Sequence, residues 1–273
     1  MTESTTRLAV IGGGNMAGAI ARRLLASDGA PTIAVTTNSS TPSWVDEQRV
    51  HHRRVVDGPN ANGWAVRDAD AVILGVKPKD ILATAREIAS DLAPGALVVS
   101  VAAGVTLEQL SAALPDHAVA VRAMPNTPVA VGRGITAFAV PADAPVGSAQ
   151  SVRELLAPTG LVEEMDEALI DGFSAVIGSG PAYIYYVMEA LTAALDEQGL
   201  ADDRTSAMVA ELVAGAAAYL QADGREAAAL RAEVTSPGGS TARAIGVFDE
   251  RDVRGAISDG VRAAAMRARE LGQ

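Results

Sequence analysis

The first two-thirds of the chain repeat one pattern: a short apolar run, a turn, then an amphipathic stretch. Leu8 to Ile11 reads as a buried strand, followed by a glycine turn and a helix from Asn15 to about Ala26. Thr32 to Thr36 is a second strand, and Val55 and Val56 mark a short third one. Ala71 to Val76 and Leu97 to Val101 are apolar runs of strand length, separated by a helical pattern over Asp80 to Leu92 that Pro94-Gly95 closes. Further strands are predicted at Ala118 to Arg122, Ile135 to Val140 and Leu161 to Met165. Strands interleaved with helices build right-handed βαβ units around a mostly parallel sheet.

After about Asp166 the strand pattern stops. Helices are predicted over Pro181 to Gln198, Thr205 to Gln221, Ala242 to Phe248 and Val253 to Leu271, with Asp223 to Arg231 as a short polar interruption. The segment from Tyr183 to Leu195 is apolar on nearly every face, and such a helix is buried on all sides. A C-terminal part of roughly 100 residues has little core with which to cover it. We therefore read it, with the small residues Ala210 and Ala214 to Ala218, as a helical dimer interface; an ordinary core helix is the alternative.

Composition narrows the classes. Hydrophobic residues make up 49% of the 273, but aromatic ones only 3%, so alanine, valine and leucine do the packing and backbones come close together. The net charge of −11 argues against nucleic-acid and anionic-membrane partners, though not against an anionic small ligand in a local pocket. With no cysteine, disulfides, thiol nucleophiles and cysteine–metal sites are excluded. Met1 to Arg7 is polar and has no apolar signal core. Ala182 to Leu195 is interrupted by Glu189 and falls short of the ~20 residues a bilayer requires. A soluble cytoplasmic protein is the expectation.

Chemistry gathers at the ends of the predicted strands. Gly12-Gly13-Gly14-Asn15-Met16-Ala17 fits G-x-G-x-x-G/A between a strand and a helix, the context in which this pattern binds a dinucleotide. The second strand ends in Thr36, Thr37, Asn38, Ser39 and Ser40. An NAD site usually places Asp or Glu there for the ribose 2′-hydroxyl; hydroxyls without a carboxylate favour NADP. Arg49, Arg53 and Arg54 fold back towards that loop or form a solvated surface run, and the surface run is preferred. His51, His52 and His117 lack partners at ligand spacing, so no metal is expected. Lys77, before Pro78, reaches ribose or phosphate oxygens or sits exposed on a turn. Val101 to Gly104 ends the fifth strand in small residues, and Asn126 lies between two prolines after the sixth; these strand ends point to one shared crevice. Val234 to Thr241 reads V-T-S-P-G-G-S-T. Pro237 fixes one φ angle, the glycines permit close approach of a ligand, and Ser240 or Thr241 caps the next helix. This is either a plain turn with a capped helix or a nest for a small carboxylate.

Six blocks together resemble the pyrroline-5-carboxylate reductase family: I-G-G-G-N-M-A at 11–17, V-K-P at 76–78, V-A-A-G-V-T at 101–106, M-P-N-T-P at 124–128, G-S-G-P-A-Y at 178–183 and the 234–241 loop. The resemblance implies an α/β chain: an N-terminal Rossmann-type parallel-sheet domain over residues 1–166 and an all-α C-terminal dimerisation and substrate domain over 167–273. It implies reduction of a cyclic imine to L-proline with NADPH, or with NADH, in a homodimer and in a decamer of five such dimers. By motif match, Gly12, Gly14, Asn15, Met16 and Ala17 hold the pyrophosphate; Thr36, Thr37, Asn38 and Asn62 meet the adenine ribose; Val76, Lys77, Pro78, Ala103 and Asn126 approach the nicotinamide half. Ser236, Gly239, Ser240 and Thr241 hold the substrate carboxylate, and the Thr241 hydroxyl is the candidate for bonding or protonating the ring nitrogen. The chain departs from the family at Ala227, where proline is common, at Arg133, where glutamate is, and in lacking the strand-two arginine of some NADP-preferring members. Reduction of another cyclic imine, such as a six-membered piperideine carboxylate, is the competing activity.

Overall fold

The computed structural model describes residues 6–45, 48–200 and 202–271, so the reading of Met1 to Thr5 lies outside the described residues. The chain divides into two compact units, residues 1–179 with 265–273, and residues 180–264.

The first unit is built on an eight-stranded sheet of order β3-β2-β1-β4-β5-β6-β7-β8. Its strands are β1 (Arg7–Ile11), β2 (Thr32–Thr37), β3 (Val50–Arg54), β4 (Ala71–Leu74), β5 (Leu97–Ser100), β6 (Val119–Pro125), β7 (Gly134–Ala139) and β8 (Gly160–Glu164). From β3 to β6 all pairings are parallel; β7 runs antiparallel to β6, and β8 parallel to β7. β4 and β5 are buried at every position, as expected for strands covered by helices on both faces. Apolar layers lie on each side, one containing Ile20, Leu24 and Phe138 and the other Ile81, Ile88 and Leu110. Helices α1 (Asn15–Leu25), α2 (Ala61–Val66), α3 (Pro78–Ile88), α4 (Leu107–Ser111), α5 (Ser148–Leu156) and α6 (Glu167–Phe173) connect the strands or follow them. The predicted class, a Rossmann-type sheet followed by an all-helical C-terminal part, is the class observed.

Three expectations are corrected. The third strand is not at Val55 and Val56. It is the polar stretch Val50–Arg54, and the two valines lie in a short 3-10 turn where they are exposed. An edge strand has one open side and carries charge there readily. The segment Asp223 to Arg231 is no interruption, since Ala227–Glu233 forms a helix of its own. The sixth strand runs on to Pro125, which brings Asn126 directly to its end.

One buried ion-pair network ties the sheet to α6. Arg122 on β6 is 5% exposed; its guanidinium donates to Glu167 Oε1 at 3.1 Å and to Asp171 Oδ1 at 2.5 Å. Glu167 also accepts the Leu107 amide of α4 at 2.7 Å. Just beyond, Ser174–Gly178 widens into a π turn, and the Asn126 side chain donates to the Ile177 carbonyl at 3.2 Å.

The second unit is helical: α7 (Gly180–Glu197), α8 (Thr205–Asp223), α9 (Ala227–Glu233), α10 (Ser240–Glu250) and the first part of α11 (Val253–Leu271). No residue of α7 is buried, and Ile184, Tyr185, Tyr186, Val187 and Leu191 are exposed. A helix this apolar left open within one chain is the geometry of an interface rather than of a monomer core.

Candidate functional site

Order reversal in a parallel sheet leaves a crevice at the carboxyl ends of the strands flanking the reversal. Here these are β1 and β4, and the chain after each is reduced to glycine. The Gly12 and Gly13 amides both donate to the Thr36 carbonyl, at 3.0 and 3.1 Å, which folds the turn onto the end of β2. Gly12 has φ +84°, a left-handed conformation that favours glycine, and a β-carbon on it would come within 2.8 Å of the Val76 nitrogen. A β-carbon on Gly75 would lie 2.3 Å from that of Ala17, so α1 and β4 touch through alanine and glycine. Around Gly14 a β-carbon would meet nothing within 4 Å. That opening lies at the start of α1, whose first-turn amides, Asn15, Met16 and Ala17, have no carbonyl of their own helix to bond. A cradle closed behind and open in front, at a helix N-terminus, fits a pyrophosphate.

The crevice has a volume of about 550 Å³. It brings together Gly12, Gly14, Thr36, Thr37, Asn38, Asn62, Val76 and Lys77 of the predicted set, with Ile11 and Gly13 of the glycine block and Ser40 of the strand-two end, and adds Val55, Gly75, Lys79 and Asp80, to which no role was assigned from the sequence. Asn15 is exposed and Met16 half-buried at the start of α1, while Ala17 is buried in the helix–sheet contact. Pro78 is the first residue of α3, after Lys77. Ala103 and Asn126 do not line this crevice. Ala103 is exposed on the turn after β5. Asn126 is buried and its amide serves the protein, accepting from the Ile135 amide at 2.8 Å as well as donating to Ile177. Asn62 is equally engaged: Thr36 donates to its oxygen at 2.7 Å, and its nitrogen donates to both Glu87 oxygens at 3.1 Å.

The histidine and arginine run is largely exposed, as the preferred reading has it, but two of its members turn towards the loop after β2. The His52 Nε2 lies 2.8 Å from the Thr37 hydroxyl, and Arg54 reaches the Ser39 carbonyl. The signal was the parallel register, which sets Arg54 beside Thr37. Burial, then the Arg54 charge, hold the His52 imidazole below its ordinary pKa, against a smaller opposing pull from Asp57. Arg53 instead stacks over Trp64 at 4.0 Å. Among the described residues no group of three or more His, Asp or Glu is placed to hold a metal, and no helix is long and apolar enough to cross a membrane.

In the helical unit, Ser236 to Gly239 closes a type II turn. The Gly239 amide donates to the Ser236 carbonyl at 3.0 Å, with Pro237 at the second position and Gly238 at φ +74°. The Ser236 hydroxyl lies where a side chain on Gly239 would begin, 2.8 Å from its β-carbon position. The predicted cap is corrected. Gly239, not Ser240 or Thr241, is the N-cap of α10, and it makes no side-chain cap bond. Ser240 and Thr241 are therefore the first two helical residues, with their hydroxyls exposed beside first-turn amides that lack helical partners.

The chain is 35% identical to the pyrroline-5-carboxylate reductase of Pseudomonas aeruginosa, across 99% of this chain and 98% of that protein. It is 36% identical to that of Corynebacterium melassecola across 98% and 99%. It belongs to the pyrroline-5-carboxylate reductase family. Residues 167–271 match the family described as pyrroline-5-carboxylate reductase dimerisation, so the reductase's C-terminal part is of a dimerisation type. Residues 7–104 match the family described as NADP oxidoreductase coenzyme F420-dependent. The structure of a pyrroline-5-carboxylate reductase from Coxiella burnetii superposes with a TM-score of 0.86 at 33% identity, covering 99% of this reductase and all of that chain. That of the Plasmodium falciparum pyrroline carboxylate reductase, solved with NADP bound, has a TM-score of 0.85 at 21% identity and 98% coverage of both, a likeness of fold.

Proposed function

We propose that this chain reduces 1-pyrroline-5-carboxylate to L-proline with NADPH, the last step of proline biosynthesis, with NADH as the alternative donor. The observation that carries the substrate assignment is the uncapped start of α10, where two hydroxyls and free first-turn amides follow a tight S-P-G-G turn. That arrangement suits one carboxylate. NADPH, when bound, would supply the hydride for the imine carbon, and the ring nitrogen would take up the proton. A protonated imine is already electrophilic, so most of what the protein contributes is placement. Ser236, Gly239 and Ser240 hold the acid group, and Thr241 orients or protonates the nitrogen. Gly12, Gly14, Asn15, Met16 and Ala17 hold the pyrophosphate; Thr36, Thr37, Asn38 and Asn62 form the ribose end; Val76, Lys77, Pro78, Ala103 and Asn126 serve the nicotinamide half. Asn126 does so by holding its loop, because its own amide is spent on Ile135 and Ile177.

The assay is oxidation of NADPH and NADH with pyrroline-5-carboxylate and with its six-membered homologue. Faster turnover of the five-membered ring is expected; preference for the larger ring would overturn the substrate assignment. Thr241→Ala should lower kcat roughly 10- to 100-fold, the worth of one charge-assisted hydrogen bond, with the cofactor KM unchanged, while Thr241→Ser retains most activity. Unchanged turnover in the alanine variant removes Thr241 from the chemistry.

Residues 1–166 serve the dinucleotide, and 167–273 serve dimerisation and substrate, in a cytoplasmic homodimer that assembles further into a decamer. The exposed apolar side of α7 supports the dimer. Light scattering at micromolar concentration should report a dimer or a multiple of it, and Tyr186→Glu should shift the protein towards monomer; a monomeric parent protein would refute the arrangement.

A further inference from the structure

A second hollow, of about 650 Å³, is lined by His52, Arg53, Arg54, Asp57 and Ala61, and it neighbours the ribose end of the crevice. Three chain segments contribute adjacent residues to the two spaces. Ser40, Val55 and Asn62 line the crevice, while Thr41, Arg54 and Ala61 line the hollow. The loop after β2 and the end of β3 are therefore a shared wall.

Arg53 and Arg54 line that hollow together with Asp57, one positive charge in excess within a chain whose net charge is −11. Strand alternation puts His52 and Arg54 on the same side of β3, and the parallel register sets Arg54 beside Thr37. The Thr37 hydroxyl donates its hydrogen to the Ser40 carbonyl, so in its contact with that oxygen His52 Nε2 is the donor. Arg54 reaches the Ser39 carbonyl at 3.5 Å and is gripped by both oxygens of Asp57, at 2.7 and 2.8 Å. Asp57 thereby fixes the direction of the guanidinium. The loop itself, Thr37 to Ser40, has neither a carboxylate to accept from a ribose 2′-hydroxyl nor a cation to meet a phosphate.

We propose that this hollow receives the 2′-phosphate of NADPH and that Arg54, from β3 rather than from the loop after β2, is the residue that sets preference for NADPH over NADH. The proposal rests on the assignment of the neighbouring crevice to the dinucleotide. A phosphate forms an ion pair with a guanidinium, which a neutral 2′-hydroxyl cannot. Arg54 thus discriminates between the two cofactors at a distance from the nicotinamide. His52 completes the pocket as a donor that holds Thr37 in place.

The test is calorimetric titration of 2′,5′-ADP and of 5′-AMP, two fragments that differ in this phosphate alone, into the parent protein and the variants Arg54→Ala and Arg54→Lys. Both Arg54 and Asp57 side chains are roughly half exposed, at 43% and 53%, so neither variant threatens the fold. Arg54→Ala should weaken 2′,5′-ADP roughly 10- to 100-fold and leave 5′-AMP within about twofold; Arg54→Lys, which keeps the charge and loses the fork, should fall between. In turnover assays the NADPH-to-NADH ratio of kcat/KM should drop by the same factor. Equal effects on both fragments, or none on either, overturn the role of Arg54 while the crevice assignment stands. Failure of the parent protein to bind either fragment overturns both.

Discussion

Aspartate in place of Gly14 should weaken nucleotide binding by orders of magnitude and leave the fold as stable as before. Nothing stands within 4 Å of the position a side chain would take, and the backbone there is extended, at φ −71° and ψ −164°. Gly14 is also the N-cap of α1, where aspartate is among the favoured residues. The new carboxylate would occupy the mouth of the cradle. At ~4 Å and an effective dielectric of ~20, it would oppose a phosphate by about 4 kcal/mol. A loss of affinity of roughly 100- to 1,000-fold, with Tm unchanged or slightly raised, is the expected result. Alanine at Gly75 should behave in the opposite way. Its β-carbon would sit 2.3 Å from that of Ala17 and 2.7 Å from the Gly12 carbonyl, both on packed elements. Overpacking of this kind costs about 1–3 kcal/mol, so Tm and affinity should fall together. Calorimetry with 5′-ADP and a thermal melt on both variants separate the two cases. Unaltered affinity in the aspartate variant would mean that the phosphates lie elsewhere.

The second large effect concerns Arg122. Its side chain is 6% exposed, whereas Glu167 and Asp171 are 28% and 38% exposed. The three charges are therefore not equivalent. If the arginine is removed, two carboxylates remain that water can reach; if the acids are neutralised, a guanidinium is stranded in the sheet. The double variant Glu167→Gln with Asp171→Asn should lose about 3 kcal/mol, at the low end for a stranded buried charge because the amides still accept hydrogen bonds. Arg122→Met should lose less. Adding Arg122→Met to the double variant should restore stability, because the stranded charge is then gone. Denaturant unfolding of the four proteins measures this as a cycle. A triple variant less stable than the double one would show that Arg122 contributes chiefly through packing.

The sheet was legible where its strands are buried, since continuous apolar runs such as Ala71–Leu74 and Leu97–Ser100 have few other readings. Its edge was not. β3 buries Val50 alone among its five residues, and the eye goes to the valine pair that follows. Helix α4 carried its signal openly, because Thr106 and Gln109 form a capping box, yet five residues make a weak periodicity. For α9 the polar Asp223 to Glu226 stretch hid a run of alanines and a leucine. The glycine turn and its helix were fully legible, because each glycine answers a local steric demand. The spent amide of Asn126 was not, because its partner Ile177 lies 51 positions away and no local pattern encodes that bond. Arg54 stands between these cases: its place beside Thr37 follows from register once β3 is correctly located.

The open side of α7 has a thermodynamic corollary. Tyr185 and Tyr186 are 55% and 74% exposed within a single chain, and the family's C-terminal part is of a dimerisation type. Where apolar surface is sequestered by a second copy, the native state draws on mass action: each dilution shifts the balance towards the unfolded chain. Resistance to heat is then set jointly by sequence and by abundance, and a newly made copy stays vulnerable until it meets another.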